Sequence, residues 1–198
     1  YARAGFKRDN RHRMVQARQL DNALDKLENA ITTYLATLDQ ENMTREDIQR
    51  VDDILAFASN IGHAGDIAYH GLLGLITKLR KQGWTLSEQQ RADLDETLAI
   101  LIGNQRQAAA LFVNDDLRQA RALAGEKSRF RTMEIQASEA HMKKIKAGDI
   151  DVAEVGSLYL DVLRDMKSIN SHLIGASAYP LLARHGELLP SRIRETGN

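Results

Sequence analysis

The chain has 198 residues, 43% of them apolar and 27% charged, which excludes a disordered chain and fits a globular protein of one domain or two small ones. Lys plus Arg and Asp plus Glu are equal at 27 each, so no overall field draws the molecule to nucleic acid or to an anionic surface. Cysteine is absent, which excludes disulfides and thiolate metal sites, and no run approaches the roughly 20 apolar residues that span a bilayer. Two prolines and few aromatics among abundant straight-chain residues favour long helices over sheet. The start at Tyr1, with no signal peptide, leads us to expect a piece of a longer protein.

From Asn10 to Leu38 the residues Ala17, Leu20, Leu24, Leu27, Ile31, Tyr34 and Leu38 step by three and four, which predicts a helix with one heptad seam. Asp39 to Asn42 interrupts it, and Thr44-Arg-Glu-Asp47 reads as a capping box with Asp in the Glu position. The helix that follows carries Ile48, Val51, Leu55, Ala58, Gly62, Gly65, Tyr69, Leu72, Ile76 and Leu79, and stops near Gly83. Two glycines in a seam lower helix propensity, yet they let a neighbouring helix come close. Ser87 to Gln90 is a second capping box, opening a helix with Leu94, Leu98, Leu101, Ala108 and Leu111 that turns at Asn114 and Asp115. A fourth helix runs through Phe130, Met133 and Ala137 to Lys143, Lys144 and Lys146, where cations suit the negative helix end, and Gly148 stops it. A fifth is capped at Asp151 and reaches His185, with a kink predicted at Pro180.

These elements form a repeat. Phe6 to Asn10 answers Phe112 to Asp116, Leu27-Glu28 answers Met133-Glu134, and the Asn60 to Asp66 stretch answers Asp165 to His172, all at an offset of about 105 residues. The second unit then reads helix, helix, helix, and the matching opening helix of the first falls mostly before Tyr1. We expect a first unit over 1–84, a second over 85–186 and a tail over 187–198.

Phe57-Ala-Ser-Asn-Ile-Gly-His-Ala-Gly-Asp66-Ile and Leu160-Asp-Val-Leu-Arg-Asp-Met-Lys-Ser-Ile-Asn170-Ser-His172-Leu, followed by Ala178-Tyr-Pro180, resemble the PhoU-like cytoplasmic tail of bacterial sodium/phosphate cotransporters. The resemblance covers nearly the whole chain. It implies an all-α, PhoU-like fold of tandem three-helix bundles of long antiparallel helices, the first bundle lacking most of its opening helix. It also implies a regulatory domain of a sodium-dependent phosphate transporter at the cytoplasmic face of the inner membrane, whose partner is the transmembrane part encoded before Tyr1. A free-standing phosphate-signalling adaptor is the alternative, and a metal-dependent helical enzyme a remoter one. Nothing in the chain forms a Ser-His-Asp, Cys-His or GxGxxG arrangement, so no catalysis is expected.

In the resembled family a Glu and an Asp one helical turn apart hold metal ions, since carboxylates at i and i+4 share a face and a hard cation. Here Asp66 matches the Asp while Gly62 stands where the Glu belongs, and Asp21 and Asp25 keep the spacing on the preceding helix. His63 and His70 lie on the face of Asp66. The first unit is therefore expected to hold at most one weakly bound divalent or ferric ion through Asp21, Asp25, Asp66, His63 and His70, and no cofactor is required. The same residues also fit a plain solvated acidic face. In the second unit Lys127, Arg131, Lys167 and Ser171 replace the ligands, so that site is expected to be dead. Arg3, Lys7, Arg8, Arg11 and Arg13 make a basic start suited to an anionic lipid surface. An incomplete first bundle leaves apolar seams uncovered, which predicts a homodimer.

Overall fold

Five long helices account for the architecture of residues 11–148 and 151–187, which the computed structural model describes. α1 is Arg11–Ala36, followed by a single 3₁₀ turn, Gln40–Asn42. α2 joins Arg45–Asp66, a π-helical stretch Ile67–Leu72, and Leu73–Gln82. α3 is Glu88–Asn114 and α4 is Leu117–Lys146. α5 joins Asp151–Leu173, a second π-helical stretch Ile174–Ala178, and Tyr179–Arg184. The all-α class expected from the sequence is the one found. Residues 1–10, which hold Arg3, Lys7 and Arg8 of the basic start, and residues 188–198 of the tail lie outside the described residues, as do the side chains of Arg11, Arg13 and Asp151.

The helix ends follow the local chemistry. The Thr44 hydroxyl accepts from the Asp47 N–H at 3.1 Å while the Asp47 carboxylate accepts from the Thr44 N–H at 3.0 Å. Ser87 and Gln90 make the same reciprocal pair at the start of α3. Asp116 caps α4, accepting from the N–H groups of Arg118 and Gln119, and the preceding Asp115 takes φ 47° to let the chain turn. Gly83 and Gly148 end α2 and α4 at φ 68° and 84°, where a side chain would be strained.

α5 is the hub. It packs against α2, α3 and α4, whereas α1 packs on α2. The buried centre takes Leu72 from α2, Leu94 and Leu111 from α3, Leu123 from α4, and Met166, Leu173, Ile174 and Leu181 from α5. α2 and α5 run in opposite senses, as the pairs Asp53 with Arg184, Asn60 with Gly175, His63 with His172 and Gly71 with Asp165 require. Each π-helical stretch packs on the opposite helix of this pair, and the two stretches sit at nearly matching places in the repeat. In α5 the stretch holds Ala176, the residue whose carbonyl the Pro180 ring would strike in a regular helix. The kink predicted at Pro180 is therefore realised as a local widening of a continuous helix.

The burial patterns of α1 and α4 match at the positions that the sequence repeat pairs. On α4 the partly or fully buried face is Ala120, Leu123, Lys127, Phe130, Glu134 and Ala137; on α1 it is Met14, Ala17, Asp21, Leu24, Glu28 and Ile31, at the same repeat positions. This differs from the single seam predicted for α1, because Leu20, Leu27 and Tyr34 point to solvent. The reason lies in α2. A Cβ at Gly62 would run into the Glu28 carboxylate, and one at Gly65 into Leu24, so the two glycines form a shallow bed that draws the Leu24 and Glu28 edge of α1 inward.

One buried polar pair crosses the core, where the Asn104 amide of α3 donates to the Asn170 carbonyl oxygen of α5 at 2.9 Å. Asn170 is fully buried, and its own amide nitrogen has no hydrogen-bond partner. Asn104→Ala should cost about 1–3 kcal/mol in denaturant unfolding, because it strands a buried acceptor. Replacing both residues by Leu should cost less than that single change, since no polar group is then left unpaired.

Candidate functional site

The acidic face expected from the sequence is built at the contact of α1 with the middle of α2. Asp21 is half-buried there, and its carboxyl is pushed up, first by burial, then by Asp25 and more weakly by Asp66, while His70 pulls it down. Asp21, Asp25, Asp66 and His70 therefore share one electrostatic neighbourhood. Glu28 joins the same helix face and lays its carboxylate over Gly62, so a carboxylate from α1 fills the space left where the resembled motif has Glu on α2. His63 is directed elsewhere: its ring lies 5.4 Å from that of His172 on α5. Among the described residues no group of three or more His, Asp or Glu comes together closely enough to hold a metal ion.

The second unit shows what the same positions do with different side chains. Lys167 forms an ion pair with Glu134, and Arg164 reaches that carboxylate at 3.4 Å and Asp161 at 3.0 Å. Lys127 donates to the Tyr179 hydroxyl at 3.2 Å and lies 5.4 Å from its ring centre. Ser171 donates back to the Lys167 carbonyl. Of the cations that stand where the resemblance implies ligands, Lys167 pairs with a carboxylate and Lys127 with the hydroxyl and ring of Tyr179. The Lys127 and Lys167 ammonium groups would repel a divalent ion there.

A polar seam between α2 and α5 carries the residues of both resemblance phrases. The Asn60 side-chain amide donates to the Ala56 carbonyl at 2.8 Å, and its oxygen meets His172 Nδ1 at 3.0 Å and lies 3.2 Å from where a Gly175 Cβ would stand. Burial lowers the His172 pKa, and the nearby His63 lowers it further, so the ring favours the neutral form. Asp165 rests over Gly71 on the same contact, and its carboxyl is raised by burial and then by Asp161. Polar residues inside a heptad seam were the signal for this cluster, but only the crossing of α2 with α5 pairs them.

Away from the repeat motif, a polar cleft of about 450 Å³ opens between α3, α4 and α5, with Asp93 and Glu96 on one wall and Arg129, His141 and Lys144 on another. Tyr159 at its base has a hydroxyl pushed up to about 12, by burial and then by Asp93, whose carboxylate it faces at 3.4 Å. The Tyr159 hydroxyl therefore keeps its proton at neutral pH. The cleft joins opposite charges and has no assembled nucleophile and base.

These features define a class: an all-α bundle of two related halves, one internally ion-paired and the other keeping an open acidic face. Sequence comparison places known proteins beside it. The chain is 30% identical over 165 residues, 83% of its length and 30% of the relative's, to a protein of Salmonella typhimurium named "Putative inorganic phosphate export protein YjbB". Proteins of the same name from Escherichia coli O157:H7 and strain K12 are each 28% identical over 172 residues, covering 87% of this chain and 32% of theirs. The chain thus spans about a third of the length of the curated relatives it matches. No family model matches it, and no solved structure does. Among the described residues no helix is long and apolar enough to cross a membrane.

Two outcomes test this site. Because the described residues assemble no group of three or more metal-binding side chains, isothermal titration with divalent ions should give no site-specific uptake, in the chain and in its Asp66→Ala and Lys167→Ala variants alike. Asp165 has a raised folded pKa, so its favourable contribution is full below the model-compound value of 3.8 and is lost as pH rises through the folded value. Asp165→Asn should accordingly raise the melting temperature at pH 7, and its advantage should close as pH falls below 3.8.

Proposed function

We propose that this chain is a PhoU-like regulatory domain in phosphate transport, acting through helix-to-helix contacts and not by moving phosphate itself. The observation that carries the reading is similarity over more than four-fifths of the chain to proteins named for inorganic phosphate export. The duplicated bundle and the Asp165 to His172 phrase support it, and so does the acidic first unit, which offers charge at its surface and no reaction centre. In this reading the chain is one part of a longer transporter and works at the cytoplasmic face of the membrane, against the transmembrane part. The relatives' names speak of phosphate export and do not mention sodium, so coupling to sodium rests on the resemblance alone.

A free-standing phosphate-signalling adaptor fits the same observations.

In-frame removal of residues 11–187 from the chromosomal gene, followed by measurement of radiolabelled phosphate efflux, tests the proposal. Efflux should persist and lose its response to external phosphate supply. An unchanged response would refute a regulatory role. Cell fractionation separates the two forms: recovery only with detergent supports the transporter domain, and recovery in the soluble fraction supports the adaptor.

A further inference from the structure

We infer that the end of the bundle where α2 and α4 terminate docks on an anionic lipid surface, meeting it end-on. Net charge over the whole chain is zero, yet the fold sorts it. α2 and α5 run antiparallel through the pair Gly71 with Asp165, and α4 and α5 through His141 with Gly156, so α2 and α4 both end beside the start of α5. Arg80 and Lys81 stand in the last turn of α2, with Lys78 just before them, and Lys143, Lys144 and Lys146 stand in the last turn of α4. All six are exposed.

Five of these cations are left uncompensated. Among the described residues none of Lys78, Lys81, Lys143, Lys144 and Lys146 forms an ion pair. At the opposite end Arg121 is held by Glu187, Arg184 by Asp53 and Asp115, and Arg50 lies over the Phe112 ring. Glu88 opens α3 and Glu154 lies near the start of α5, at the cationic end. Even with Asp149 and Asp151, which adjoin them in the sequence, four carboxylates stand against six cations. The helix dipole favours cations at a C-terminus, but it does not call for exposed apolar side chains between them.

Such side chains are present. Met142 and Ile145, on either side of Lys143 and Lys144, keep 49% and 42% of their surface in water. The second half has all three of its helices, and the matching positions on α1 are Ala36 and Asp39, so this exposure is not that of a missing repeat helix. Trp84 follows the α2 stop at Gly83 and packs half-buried at the same end. Lysine stems lie along acyl tails while their ammonium groups stay among phosphate headgroups, and Met, Ile and Trp suit the boundary between the two. Nucleic acid is the poorer fit, since it favours arginine forks and exposed rings on which bases stack, and five of these six cations are lysines.

The inference goes beyond the transport reading and holds for a transporter domain and an adaptor alike. A single buried core joins α2, α3, α4 and α5, so the chain itself serves for the test. It should float with vesicles of phosphatidylglycerol and phosphatidylcholine in equal parts, not with phosphatidylcholine alone, and raised salt should release it. Lys143→Gln, Lys144→Gln and Lys146→Gln together should weaken binding about a hundredfold, and Lys78→Gln with Lys81→Gln about thirtyfold. Arg45→Gln with Arg118→Gln, at the opposite end, should leave it unchanged. Trp84 is the only tryptophan, so brominated lipid chains in the anionic vesicles should quench its emission. No binding to anionic vesicles, equal binding to neutral ones, binding untouched by both lysine sets, or an unquenched Trp84 would each overturn the proposal. So would tighter binding to short duplex DNA, which would make nucleic acid the partner. Loss of vesicle binding leaves the regulatory reading standing, and an unchanged efflux response leaves this surface standing.

Discussion

The crossing of α2 with α5 is the contact on which the rest of the molecule depends. Each helix has a glycine there, Gly71 on α2 and Gly175 on α5, and each lays a polar side chain on the other's glycine, Asp165 and Asn60 respectively. Glycine in a helix interior costs about 1 kcal/mol relative to Ala, but it removes the Cβ that would hold the two helices apart. The π-helical stretches lie at this crossing, where a widened turn re-aims the side chains that follow it. α3 and α4 then pack on α5, and α1 packs on α2, so one pair of helices sets the position of all five.

The two halves use one geometry for different ends. Glu28 and Glu134 occupy the same repeat position, but Glu134 meets Lys167 and Arg164 whereas Glu28 rests on Gly62. A partly buried ion pair fixes the second half and leaves it little charge to offer. The first half keeps Asp21, Asp25 and Asp66 as neighbours, and Asp21 is pushed up first by burial and then by Asp25.

Both open features of the first half, the acidic face and the outward stripe of α1, trace to the same cause. Gly62 and Gly65 roll α1 so that Glu28 and Leu24 turn toward α2, which leaves Leu20, Leu27 and Tyr34 on the outside. The second half has α3 over the equivalent region, and there Met133 and Ala140, at the positions matching Leu27 and Tyr34, line a polar cleft together with Arg129 and Gln136. The surface chemistry of each half thus follows from what covers it.

The sequence by itself determined the five helices, both capping boxes, the glycine stops and the duplication, because each is written in short-range chemistry: a side-chain oxygen near orphan N–H groups, a left-handed φ, a three-four spacing. The tertiary structure alone decided which edge of α1 turns inward, because a heptad fixes a stripe whose width admits two rotations, and only the glycine bed on α2 selects one. It alone decided that His63 leaves the acidic group for His172, and that Asn60, Asn104 and Asn170 find partners 112 and 66 residues away in the chain. Such contacts depend on how closely helices approach, which is set by the absence of a side chain at a few positions and has no periodic signature to read.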